Sequence, residues 1–334
     1  MIAWLPWDDG SHESHERLAY TWAKRFETLL MEFSPTGAVL HLDHTAGLAD
    51  TYLRARPQAL EAVKAAVLSG SLWPGPWYAS PAPLLASGET LVRNLLLGVA
   101  TARALGTRPT VCILLPCPLY SEQLPQILRG FGVMAAATIV PRTKATCSRQ
   151  TWRGSDGSEI ALVYLSEMAA NTEASSWVYA GTSSATGDSL GIAPVTDARD
   201  TPGLAASSLN DELALAPGGP LLTGELLLDN DQDPSDAPHS DATSVTADYI
   251  STWPSLRLAT WHAQLLLERW AEPWATAAWL HGADYPQPYL EKAWIHLLEN
   301  QRRDATGGCV GEGIYRHMLV RAERSRQLAE LITH

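Results

Sequence analysis

Over roughly the first 180 residues, short apolar runs alternate with stretches whose apolar side chains return every three or four positions. That alternation is the mark of parallel βα units. Ile2–Leu5 reads as a first strand, and His15–Phe33 as a helix with Leu18, Trp22, Phe26, Leu29 and Leu30 on one face. Ala38–Leu42 predicts a second strand and Thr51–Leu68, apolar at Leu60, Val63, Ala66 and Val67, a second helix. A third helix is predicted over Ser87–Leu105, then a buried strand Val111–Leu115, a short helix Ser121–Phe131, and strands Met134–Ile139 and Ile160–Leu165. The last strand follows the turn Ser155-Asp156-Gly157-Ser158.

The second part of the chain changes character. From Thr182 to about Val245 it is rich in Gly, Ser, Ala, Pro and Asp, and Asp229–Asp236 reads as an acidic surface loop whose spacing fits no calcium-loop pattern. Beyond Asp248 the rhythm is helical. Ser255–Glu272, extended by Pro273–Leu280, then Tyr289–Glu299 and Gly311–Ile332 read as helices of a bundle. Repeated βα units make a barrel or an open sheet, and both gather their sites at the C-terminal ends of the strands. Those ends lie near Pro6–Gly10, Asp43–Thr45, Trp73–Pro83 and Pro116–Tyr120.

Composition narrows the function. The 334 residues are 46% hydrophobic and 18% charged, with net charge −12. Neutralising phosphates needs clustered Lys and Arg, and no such run exists, so nucleic-acid binding is not expected. Strand-like Ile2–Leu5 follows Met1 directly and no apolar run approaches 18 residues, so a cytoplasmic protein with no membrane partner is expected. The four cysteines, Cys112, Cys117, Cys147 and Cys309, have neither disulfide-scaffold density nor zinc-site pairing. Thirteen Trp against three Phe is unusual; Trp suits sugar stacking and aromatic pockets, and equally core filling.

Several blocks together resemble glycoside hydrolase family 38, the α-mannosidases, in its bacterial cytoplasmic branch. These are Trp4-Leu5-Pro6-Trp7-Asp8, Gly75-Pro76-Trp77-Tyr78, Ser87–Gly98, Leu115–Leu128, Gly224-Glu225-Leu226, Leu266–Pro273 and Asn300–Cys309, in the family's order. The resemblance implies an α/β fold with a (β/α)7-type barrel over residues 1–245, loop-rich in 182–245, followed by an α-helical bundle over 246–334. It also implies a chain without the family's later β-sandwich domains. In the family, zinc is held by a histidine and an aspartate of the first strand, the nucleophilic aspartate and a histidine of the helical region. The corresponding positions here are Pro6, Asp8, Cys117 and Arg303. The substrate-holding segment after the Trp-Tyr pair reads Ser80-Pro81-Ala82-Pro83, and the counterpart of the acid/base aspartate is Ser183.

With so few donors left, no metal and no cofactor is expected, and Arg303 can stand in for the metal's charge by pairing with Asp8 or Asp304. Cys117 is either a thiol nucleophile or a small residue filling the aspartate's space. Asp8 is the candidate general base, and Asp43 and His44 form a titratable pair at a strand end, or a solvated loop. Trp4, Trp7 and Trp77 are candidates for an aromatic rim, with Tyr120, Arg303 and Asp304 as further ligand-binding candidates. The leading expectation is a metal-independent family 38-like protein whose barrel-mouth pocket has been repurposed for a small organic ligand, as in a biosynthetic tailoring enzyme. A non-catalytic ligand-binding or scaffold pseudoenzyme and a residual zinc-dependent α-mannosidase are the alternatives. Homo-oligomerisation is left open.

Overall fold

The computed structural model describes residues 2–4, 15–33, 39–41, 45–82, 86–114, 119–141, 149–167, 177–179, 190–194, 221–223, 226–227, 253–302, 305 and 311–334. The fold is mixed α/β, with a mainly parallel sheet and many helices. Three parallel strands, β1 (Ile2–Trp4), β2 (Val39–His41) and β3 (Leu72–Trp73), pair side by side in chain order. A second parallel group is β4 (Val111–Leu114), β6 (Ala135–Pro141) and β8 (Glu159–Glu167), while β5 is the short strand Leu119–Tyr120 between them. The longest register, from Ala135 opposite Ala161 to Pro141 opposite Glu167, lies in that second group. Its residues Ala135–Ala137 and Ile160–Val163 are buried, as expected of parallel strands covered on both faces.

The remaining strands break the parallel order. β7 (Arg149–Arg153) runs antiparallel to β8 through the predicted turn, where Gly157 has φ +87° and the Asp156 carboxylate accepts from Ser158 N and Oγ at 2.9 and 2.7 Å. The segments β9 (Trp177–Tyr179) and β10 (Leu190–Pro194) link the two groups: β9 is antiparallel to both β1 and β10, and β10 is parallel to β8. β11 (Leu221–Thr223) is parallel to β7, and β12 (Leu226–Leu227) pairs antiparallel with β5. No pairing of β3 with β4 occurs among the described strands.

Helix α1 (His15–Phe33) has the predicted bounds and buries Trp22 and Phe26, stacked at 5.4 Å, with Phe26 edge-on to Tyr52 at 4.8 Å. The expected Thr51–Leu68 helix is instead two, α2 (Gly47–Ala55) and α3 (Leu60–Leu68), joined by a 3-10 turn Pro57–Ala59. Pro57 is the cause, because it lacks the N–H to continue α2 and pushes Arg56 out of helical geometry (φ −135°, ψ 65°). Ser87 caps α4 (Gly88–Ala104), accepting from Thr90 N at 3.0 Å. α5 (Leu124–Gly130) follows.

The last described stretch is helical throughout. α6 (Pro254–Leu266) passes through one π-helical turn, Leu267–Ala271, into α7 (Glu272–Leu280), followed by α8 (Gln287–Asn300) and α9 (Glu312–Thr333). Their core is built on Ala263, Leu267, Ala271, Leu290, Trp294 and Leu297. No helix among the described residues is long and apolar enough to cross a membrane.

Candidate functional site

Among the described residues, three contacts between distant parts of the chain join blocks of sequence that stood out on their own. The first is the cap of α4. Glu268, in the π-helical turn, accepts from the Ser87 hydroxyl and, at 3.4 Å, from Thr90 Oγ1. One turn on, Glu272 accepts from Trp294 Nε1 at 2.8 Å and Tyr285 Oη at 2.9 Å and pairs with Arg93 at 3.1 Å. The second is the β5–β12 pair, where Tyr120 lies opposite Leu226. In the third, Pro81 bridges to Arg302 and Ala82 N donates to the Gln301 carbonyl at 3.4 Å. The Ser80–Ala82 segment therefore lies beside the residue that precedes Arg303.

How that segment is held follows from the sequence. Gly75–Ala82 passes between α2 and α4, and both helices offer a glycine at the crossing. A Cβ on Gly98 would fall 2.1 Å from the Pro76 carbonyl oxygen, and one on Gly47 would fall 2.2 Å from that of Tyr78. Only hydrogen fits there. Buried Asn94 then fixes the backbone: its Oδ1 accepts from Tyr78 N at 2.7 Å and Ala79 N at 3.0 Å, and its Nδ2 donates to the Ala79 carbonyl at 2.7 Å. Ala46 N and Gly47 N donate to the carbonyls of Trp77 and Tyr78 at 2.7 and 2.9 Å.

So held, Tyr78 turns its ring into a cleft of about 610 Å³, measured out to its open mouth, between α2, this segment, α8 and α9. The Tyr78 hydroxyl donates to Asp50 Oδ2 at 2.7 Å and accepts from Arg54 Nη2 at 3.1 Å, while Arg54 also pairs with Asp50. Burial, then the Asp50 charge, pushes the Tyr78 phenol well above its ordinary range, so it stays protonated as a donor. Across the cleft, Arg321 Nε pairs with Glu299 Oε2 at 3.1 Å. His296 is pulled down to about 4, first by burial and then by Lys292, Arg324, Arg321 and Arg54, so near neutral pH its ring is uncharged.

The expected site residues fall in three groups. Trp7, Asp8, Asp43, His44, Cys117, Arg303 and Asp304 lie outside the described residues. The Trp4 backbone closes β1, opposite His41 and Trp177. Trp77, expected on the aromatic rim, and Tyr120, expected to bind ligand, are only 1% and 2% exposed and pack in one apolar core with Leu91, Leu95, Leu114 and Trp152. Both rings are core members in this structure, because the glycine crossing turns Trp77 inward toward α4 and β4. Of the cysteines, Cys112 is buried on β4, and burial drives its thiol far up, away from reactivity.

Sequence reasoning missed Tyr78, Asp50, Arg54, His296, Glu299, Arg321 and Arg324. The available signal was the charged face of the final helix, where His317, Arg321 and Arg324 recur at three- and four-residue spacing.

No protein-family model matches the sequence. A Halalkalibacterium halodurans protein named "Putative mannosylglycerate hydrolase" is 26% identical over 188 residues, 51% of this chain and 21% of that protein. An α-mannosidase from Enterococcus faecalis V583 superposes with a TM-score of 0.76 at 22% identity, covering 99% of this chain and 41% of that one. A glycosyl hydrolase family 38 protein from Enterococcus faecalis gives a TM-score of 0.71 at 23% identity, covering 99% and 39%. This chain thus spans about two-fifths of the solved relatives' length and a fifth of the curated one's. Across that span, it folds as a glycosyl hydrolase family 38 α-mannosidase does.

Proposed function

We propose that this chain is a family 38-like protein without the metal chemistry, whose barrel-mouth pocket takes a small organic ligand, with residues 1–245 as a (β/α)7-type barrel and 246–334 as a helical bundle. The observation that carries the reading is the donor set at the corresponding positions. Zinc takes about four N, O or S ligands, and Pro6 and Arg303 supply none, leaving the Asp8 carboxylate and the Cys117 thiol. Arg303 also brings a positive charge that opposes a cation. These residues do not fit zinc. Asp8 as general base and Cys117 as nucleophile are the groups to substitute, with Asp43 and His44 next. Trp4, Trp7 and Asp304 remain proposals for ligand contact, and the cytoplasm for location.

The test is metal content by mass spectrometry on protein purified without chelator, wild type beside Asp8→Ala, together with an aryl α-mannoside assay. The expected outcome is no bound zinc and no hydrolysis in either. About one zinc per chain, lost in Asp8→Ala, overturns the reading and returns the protein to the zinc-dependent α-mannosidases.

A second reading, a non-catalytic ligand-binding or scaffold protein, is favoured by one feature. Along α6, the π-helical turn and α7, Trp261, Trp270, Trp274 and Trp279 are each at least half exposed, beside exposed Leu258 and Leu280. Contiguous exposed apolar patches mark interaction surfaces. This reading expects ligand binding that is indifferent to Asp8 and Cys117 substitution.

A further inference from the structure

We propose that the cleft between α2, the Trp77–Ala82 segment, α8 and α9 binds a small molecule through its carboxylate or phosphate group. Among the described residues lining it, Arg302, Arg321 and Arg324 supply three guanidinium groups, against the single carboxylate of Glu299. This concentration of positive charge stands in a chain whose net charge is −12, so overall composition does not produce it.

Geometry makes the cluster a cleft rather than a charged surface. The floor is Gly47, Leu48, Tyr78 and Ala79, all buried, and Tyr78 is fixed by its bonds to Asp50 and Arg54. The wall on α9 presents His317, Arg321 and Arg324 one turn apart, and the wall on α8 presents His296 and Glu299. Arg302, pinned beside Pro81 by the bridge, closes the end. The enclosed part of the space is about 120 Å³, room for an anionic headgroup, with the rest of a ligand lying toward the open mouth.

A second observation points to a ligand. Buried His296 Nδ1 has no hydrogen-bond partner, and a buried polar atom of this kind calls for a water or a bound group. Burial first, and then Lys292, Arg324, Arg321 and Arg54, act against protonation of that ring, so cationic groups surround His296. An oxyanion there satisfies Nδ1 in its N–H tautomer and accepts from the guanidiniums, whose planar forks match carboxylate and phosphate. The inference does not rest on the reading of the barrel mouth, since metal analysis and anion titration are measured separately and either can fail alone.

The experiment is calorimetric titration of the full chain with inorganic phosphate and, in a second arm, with acetate, at ionic strength held constant with chloride. The expected result is saturable binding of at least one of them, weakened about tenfold or more in Arg324→Gln through loss of a charge-assisted contact. Phosphate alone indicates a phosphate ester as the natural ligand, and acetate a carboxylate. Saturation also raises the His296 titration midpoint, followed by NMR of its ring protons, because the bound anion offsets the surrounding cations. Arg302→Gln gives an independent check should Arg324→Gln fold poorly. The proposal is overturned if wild type binds neither anion saturably, or if both variants bind as wild type does.

Discussion

One hydrogen atom at position 98 decides where Tyr78 sits. Where any other residue would place a Cβ, the Pro76 carbonyl oxygen lies 2.1 Å away, with Trp77 C at 2.4 Å and Tyr78 N at 2.5 Å. Backbone atoms cannot swing aside as a side chain can. Gly98→Ala is therefore expected to destabilise the protein by about 1–3 kcal/mol or more, the ordinary cost of overpacking, read as a lowered urea midpoint at unchanged slope. Gly88 is the control, because a Cβ there meets nothing within 4 Å. Nothing in the local sequence separates these two glycines. The difference comes from Pro76, twenty-two positions away, which only the folded chain brings into contact.

Between elements, Glu272 is the joint of α4 with the final helices. It is buried and accepts from Trp294 and Tyr285 while pairing with Arg93, whose guanidinium also lies over the Trp294 ring at 5.6 Å. Removing Glu272 leaves the buried Trp294 Nε1 without its acceptor, whereas Arg93 keeps Glu89 at 2.7 Å. Glu272→Ala should cost about 1–3 kcal/mol by urea unfolding, and Glu272→Gln, which keeps an acceptor for Trp294 or Tyr285, distinctly less. Element reading was strongest where amphipathic rhythm was long: α1 agrees at both ends, and α4, α8 and α9 agree within two residues. It failed at Pro57, whose break was visible but overridden by apolar periodicity on both sides. β7 was missed because Arg149–Arg153 carries a single large apolar residue, Trp152, and becomes a strand by pairing with β8. For the site, the sequence singled out blocks that the fold then joins, as Ser87 to Glu268 and Pro81 to Arg302. The charged cleft was hidden because its residues come from four separate elements.

At the scale of the whole molecule, the cleft leaves a mark on stability against pH. His296 takes up its proton near pH 4 when folded and near 6.5 when unfolded. Between those values the unfolded chain binds the extra proton, so stability falls as pH falls through that window and is unaffected above it. His296→Gln should remove this component. Urea unfolding at pH 7, 5.5 and 4.5 is then expected to give a shallower decline for the variant than for wild type.

The crossing of Gly75–Ala82 between α2 and α4 also bears on how the chain reaches this state. Its amides and carbonyls are tied to Ala46 and Gly47 on one side and to Asn94 on the other, with room for neither helix to approach a bulkier backbone. A strand of chain gripped from both sides cannot slip in after the helices have closed on each other. Docking of α2, the crossing segment and α4 is therefore expected to be one event, with their amides sharing one opening free energy in hydrogen exchange. Tyr78 and the cleft it floors then form and open together with these parts.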